Sequence, residues 1–211
     1  MEQSIADFWN WFKERSEAFL NISGDILDER EKDDLLNEIQ DNLHNYCDQL
    51  YFEIGGQPGE DQELIITAEG DKEFFKQVEE LVYNAPNIDK WTIIAFKQSV
   101  DLNDDPFTSN FEDVELKPID MWFLPMDSKS NPKSIGIRVC LPNYEEVKDS
   151  KWMQPAVYKV LDTVLGEKSF ALDVDYVDIG QLPDNPEKQG MIELKELAAF
   201  IRWKKKKLER L

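Results

Sequence analysis

Twice along this chain, two strand-like segments are followed by a helix-period segment and then another strand. That repeated order limits the available folds more than any other feature of the sequence. In the first set, residues 50–54 run into Gly55-Gly56, and a turn-rich stretch (Gln57-Pro58-Gly59-Glu60-Asp61) leads to a second strand at 64–68. Residues 71–83 place Phe74, Phe75, Val78, Leu81 and Val82 at helical spacing and stop before Pro86, and 91–96 read as a third strand. In the second set, strands at 119–125 and 134–141 flank a turn at 128–132. A helix at 151–165 ends at Gly166, and 172–177 alternates as a strand. No residue-level repeat accompanies the order. The expectation is an α+β fold with antiparallel or mixed sheets built from two β-β-α-β units.

Helices are expected at both ends. Residues 4–20 carry Ile5, Phe8, Trp9, Phe12, Ser16, Phe19 and Leu20 on one stripe, with Ser4 placed to cap and Asp7 three residues on. Trp11 falls on another face, at about 100° per residue. It is read either as covered by a second element or as an exposed aromatic for a partner. A second helix spans 25–49; its first half is all polar from Asp28 to Asp34, and its second half is apolar at Leu35, Leu36, Ile39, Leu43 and Tyr46. A C-terminal helix uses Leu194, Leu197, Ala198, Ile201 and Leu208. At 211 residues the chain is expected to form one domain: N-terminal helices at 1–49, β-β-α-β units at 50–98 and 114–178, and a C-terminal helix with a basic tail at 191–211.

Charge narrows the function. The chain has 44 acidic and 24 basic side chains, a net −20. The last ten residues hold six basic groups and one acid, so residues 1–201 carry 43 acids against 18 bases, a net −25. A body this acidic repels phosphate backbones and anionic lipid, which argues against nucleic acid and membranes as partners. No apolar run nears the roughly 18 residues of a spanning helix, and the acidic, aromatic N-terminus is unlike a signal peptide. Two cysteines, Cys47 and Cys140, make no disulfide framework and fit a cytoplasmic setting.

The stretches Phe8-Trp9-Asn10-Trp11-Phe12, Tyr51 to Gly56, Glu63 to Gly70, and Ala85-Pro86 followed by Trp91 and Ile94-Ala95-Phe96 resemble an uncharacterised family of bacterial cytosolic proteins. The resemblance is densest over 50–97. It implies a bacterial origin and an α+β fold, and it brings no activity or catalytic residue with it. The β-β-α-β order also resembles the ferredoxin-like sandwiches of small acidic regulators.

Chemistry-bearing patterns are few. Asp101, Asn103, Asp105 and Glu112 stand at EF-hand loop positions 1, 3, 5 and 12, a calcium candidate. Pro106 occupies the position where the sharp turn needs glycine, and no helices flank the loop. The lone His44 has no Ser or Cys pattern beside it, so no catalytic residue is assigned. One histidine and two distant cysteines match no zinc spacing, and no phosphate-binding glycine loop is present, so no cofactor is expected. Asp173 and Asp175 share a face of the expected strand, about 6.5–7 Å apart, as an acid–base pair or as like charges that keep an exposed strand from pairing. Lys204 to Lys207 are read either as a contact for nucleic acid or an acidic partner or, in preference, as cations favouring a helix C-terminus and folding back on the acidic body.

The leading expectation is a non-enzymatic, acidic, cytoplasmic binding or regulatory protein that docks a basic protein partner. The candidate partner-binding residues are Trp11, Asp28, Glu29, Glu31, Asp33, Asp34, Asp173 and Asp175. The alternative is a hydrolase or metal-dependent enzyme using a carboxylate cluster.

Overall fold

The first helix begins at a reciprocal cap. In the computed structural model, which describes residues 4–22, 24, 27–57, 60–127 and 134–208, the Asp7 backbone N–H donates to Ser4 Oγ at 3.2 Å. The Asp7 carboxylate accepts from the Ser4 N–H (3.2 Å) and hydroxyl (2.7 Å) in return. Helix α1 (Ile5–Phe19) buries Phe8, Trp9, Phe12, Ser16 and Phe19, the stripe read from the spacing. Helix α2 (Glu29–Tyr46) also starts at a capping box: Glu31 N–H donates to Asp28 Oδ1 and Asp28 N–H to Glu31 Oε2. That cap sets the helix start at 29 rather than 25. Ile39 and Leu43 are buried, and Arg15 grips Glu38 bidentately at 2.8 and 2.7 Å, tying α1 to α2.

The chain divides into two compact units, residues 1–97 and 98–211. In the first, strand β1 (Tyr51–Gly55) pairs antiparallel with β2 (Gln62–Thr67), and β2 pairs parallel with β3 (Trp91–Ala95), in the order β1-β2-β3. The parallel pair is joined through a 3-10 turn capped by Asp71 and helix α3 (Phe75–Tyr83). Two indoles fasten this unit: Trp9 Nε1–H donates to Leu81 O (2.8 Å), and Trp91 Nε1–H donates to Ser16 O (3.2 Å). Phe8, Phe12, Phe19, Leu64, Ile66, Val78 and Leu81 are fully buried. Each such side chain contributes about 1.5–3 kcal/mol by leaving water.

The second unit repeats the connectivity. A short hairpin of β4 (Ser109–Phe111) and β5 (Val114–Leu116) comes first. Strand β6 (Trp122–Met126) then pairs antiparallel with β7 (Gly136–Leu141), which pairs parallel with β8 (Tyr176–Gln181). The crossover consists of α4 (Tyr144–Val147), α5 (Met153–Leu165) and α6 (Glu167–Asp173). Strand β9 (Ile192–Glu193) completes the order β8-β7-β6-β9, and α7 (Leu197–Leu208) ends the described chain. Ile137, Val139 and Leu141 on β7 meet Ala156, Val157, Val160 and Leu161 of α5 and Leu197 and Ile201 of α7 in one apolar core. Pro125 has no N–H for a ladder, and β9 reaches only Trp122 and Phe123, so no partner strand faces its donorless side there.

In both units, then, an antiparallel pair is followed by a helical crossover to a strand parallel to the middle one. The α+β class with mixed sheets holds, and the two units lie in separate sheets. The strand orders add nothing to the ferredoxin-like comparison.

Several expected elements need correction. Residues 118–120 form a 3-10 turn before β6, so the strand expected from 119 begins at Trp122. Residues 101–113, a polar stretch between the two expected β-β-α-β units, hold β4 and the turn of a hairpin. The strand expected at 172–177 is instead the end of α6 followed by β8, which starts at Tyr176. The turn expected at 128–132, together with Pro58 and Gly59 of the first turn, lies outside the described residues.

Candidate interaction surface

Charge is distributed unequally between the units. Residues 1–97 carry 23 acidic and 8 basic side chains, a net −15, whereas residues 98–211 carry 21 and 16, a net −5. Within the first unit, Asp28, Glu29, Glu31, Asp33 and Asp34 are all exposed at the start of α2. Their roles differ. Asp28 and Glu31 are held in the capping box, and Glu29 lies 3.8 Å from Lys32 Nζ. Acids in a first helical turn also favour the helix dipole by about 0.3–1 kcal/mol each, so part of this charge serves the fold. Asp33 and Asp34 stand beyond the first turn, with their side chains in solvent. Of the cations in this unit, Arg15 pairs with Glu38, Lys76 with Glu80, and Lys97 with both Glu53 and Glu69.

Trp11 is half-buried among rings of its own helix, with centroids 5.9 Å from Phe8, 6.2 Å from Phe12 and 5.7 Å from Phe19. His44 touches the Gln40 amide with Nε2 and meets the Tyr51 ring edge-on.

The pair Asp173 and Asp175 does not share a strand face. Asp173 closes α6, where its carboxylate accepts from the Ser169 hydroxyl (2.9 Å) and from Lys205 Nζ (2.7 Å). Asp175 precedes β8; its side chain accepts from Ile135 N–H at 2.8 Å, while its own N–H donates to Ile135 O at 2.9 Å. One carboxylate ends a helix and the other extends a ladder, so the separation expected from strand rise does not apply to this pair.

The calcium candidates are likewise divided. Asp101 folds onto Asn103, accepting from its N–H and its side-chain amide, both at 2.9 Å, and these bonds hold its carboxyl below the usual range. Asp105 donates its N–H to the Asp101 carbonyl. Glu112 sits in the two-residue turn between β4 and β5 at φ 54°, so its backbone makes a hairpin turn. Among the described residues, no group of three or more His, Cys, Asp or Glu side chains is arranged to hold a metal ion. Cys47 is half-buried; burial of Cys140 pushes its thiol pKa upward, partly opposed by Arg138.

One surface was only half legible in the sequence. Along α7, Lys204 Nζ reaches Asp127 at 2.6 Å and Lys205 Nζ reaches Asp173 at 2.7 Å. The expected fold-back of the tail thus holds for these two lysines. The Lys204 hydrogen bond lowers the Asp127 pKa. Arg202, Trp203, Lys206 and Lys207 are exposed, with Lys207 adding a weaker electrostatic pull on Asp127 and Arg202 one on Asp101. The helical spacing was visible, but which lysines would find acids was not, because Asp127 is 77 residues away in sequence.

Two clefts accompany these surfaces. A groove of about 420 Å³ in the first unit is lined by Lys13, Glu14, Glu17, Leu20, Ile88 and Lys90. A cleft of about 210 Å³ in the second is lined by Asp101, Asn103, Lys195, Glu196 and Arg202, among others. Both mix the two signs of charge, so neither concentrates a field for one ion. Among the described residues, no helix is long and apolar enough to cross a membrane. No family model, curated protein or solved structure matches the chain.

Proposed function

We propose that the protein is a non-enzymatic, acidic, cytoplasmic binding protein whose first unit docks a basic protein partner through the start of α2. The observation that carries this reading is the concentration of charge: a net −15 on residues 1–97, with Asp33 and Asp34 exposed beyond the turn that capping and the helix dipole account for. A net charge of magnitude about 2–8 suffices for the solubility of a small domain. The excess costs stability through self-repulsion, and a basic partner removes that repulsion while being steered to the surface. Asp173 and Asp175, one candidate pair for an enzyme using a carboxylate cluster, are each engaged in local structure, which favours the binding reading.

The test is binding of a fluorescein-labelled oligolysine peptide by the wild type and by two variants of equal charge change. Asp33→Lys/Asp34→Lys reverses the proposed surface, and Asp184→Lys/Glu187→Lys reverses exposed acids of the second unit. The reading expects the first variant to weaken binding by at least about fivefold more than the second, with affinity falling as salt rises. Equal weakening by both would leave only a generic polyanion and overturn it.

A further inference from the structure

Helix α7 spends its basic residues in two ways. Lys204 and Lys205 are bound to Asp127 and Asp173, and Ile201, Leu197 and Phe200 pack toward the core, with the Phe200 ring tilted at 58° to that of Phe123, centroids 5.3 Å apart. On the opposite side, Arg202, Trp203, Lys206 and Lys207 fall within one arc of about 140°, at about 100° per residue. Trp203 is 54% exposed; its ring lies 5.8 Å from Phe200 and has Lys207 Nζ 5.2 Å from its centroid. Cations near a helix C-terminus serve the dipole, which explains Lys206 and Lys207 in part. Nothing of that kind explains an exposed indole, because a tryptophan normally gains most by burial. Phe200 ties it to the core strand, so the aromatic is held on a rigid element and loses little freedom on binding. The arrangement is a fixed aromatic anchor beside cations, the composition of an interface hot spot.

We propose that this face of α7 binds a short acidic peptide segment carrying an aromatic side chain, with the ring on Trp203 and the carboxylates at Lys206 and Lys207. Charge complementarity and size select this partner. Nucleic acid and anionic membranes present negative charge over many Debye lengths, each about 8 Å at physiological salt, so they also meet the acids of a chain with net charge −20. A peptide of six or so residues covers the roughly 18 Å of α7 and little else. Lys207 already lies over the indole, which disfavours a nucleobase stacked there and suits a carboxylate drawn to the ammonium with a ring at the indole edge.

The experiment uses the full chain and a fluorescein-labelled peptide, Glu-Phe-Glu-Glu-Phe-Glu, followed by anisotropy at low and moderate salt. Saturable binding is expected, weakened at least about fivefold by Trp203→Ala and by Lys206→Glu/Lys207→Glu. The matched charge change Lys72→Glu/Lys188→Glu, at exposed lysines elsewhere, should stay within about twofold. Replacing both phenylalanines of the peptide with serine should weaken binding as much as Trp203→Ala does. The lysine variant leaves every ring in place, so it tests the same face without disturbing packing. Absence of saturable binding, equal loss in the matched variant, or tighter α7-dependent binding of an oligouridylate or of phosphatidylserine vesicles would overturn the proposal.

Discussion

Glu112 shows how one backbone angle decides between two readings of the same residues. In the sequence it stands at the last ligand position of a calcium loop. In the fold it occupies the β4–β5 turn at φ 54°, a region that costs a non-glycine residue about 1–2 kcal/mol. Glu112→Gly should therefore raise stability by about 1 kcal/mol, read as an increase of about 2–4 °C in the thermal midpoint. A calcium site would give the reverse: a midpoint raised by calcium in the wild type and insensitive to it in the variant. Three carboxyls, those of Asp7, Asp101 and Asp127, are held below their ordinary pKa, chiefly by hydrogen bonds from Ser4, Asn103 and Lys204. A carboxyl depressed by folding stabilises the fold above its unfolded pKa, and that support is lost as pH falls through the lowered folded value. Carbon-detected NMR titration should accordingly find the Asp7 midpoint below the ordinary carboxylate value. Ser4→Ala should move it back up, and an unchanged midpoint would contradict the capping geometry.

Among the elements, those with strong periodicity and a cap were legible. Helix α1 was visible because Ser4, Asp7 and five buried side chains all repeat the same spacing. The α6–β8 passage was not, for a physical reason. Gly166 at φ 77° restarts the chain after α5, and the seven residues of α6 are too few for a 3.6-residue period to show against the alternation of Leu172, Asp173, Val174 and Asp175. The two-residue β9 is fixed by pairing with Trp122 and Phe123, which no local pattern encodes. Within α2, cap and surface separate experimentally. Asp28→Ala should cost about 1 kcal/mol of stability through loss of the cap. Asp33→Ala and Asp34→Ala should stay within about 0.5 kcal/mol in a denaturant titration. If all three substitutions destabilise alike, the α2 acids belong to the fold and not to a partner. Phe12→Ala, by contrast, opens the core of the first unit and should cost about 3–5 kcal/mol.

For the whole molecule, the sequence expectation of a single domain stands beside two compact units that share no sheet, each with its own buried side chains. Calorimetry tests that expectation: one domain requires a single transition whose calorimetric and van't Hoff enthalpies agree, and two resolved transitions would contradict it. Net charge was readable from composition, but its division into −15 and −5 needed the boundary near residue 97. The central claim is that this asymmetry serves a basic partner at the start of α2. The most direct measurement is a titration of the uniformly ¹⁵N-labelled chain with an oligolysine peptide at about 0.15 M salt, where charges beyond about 8 Å are screened. The account predicts that amide shift changes concentrate on residues 28–34 and saturate together. Changes spread evenly over the exposed acids of residues 1–97 and 98–211 would contradict it.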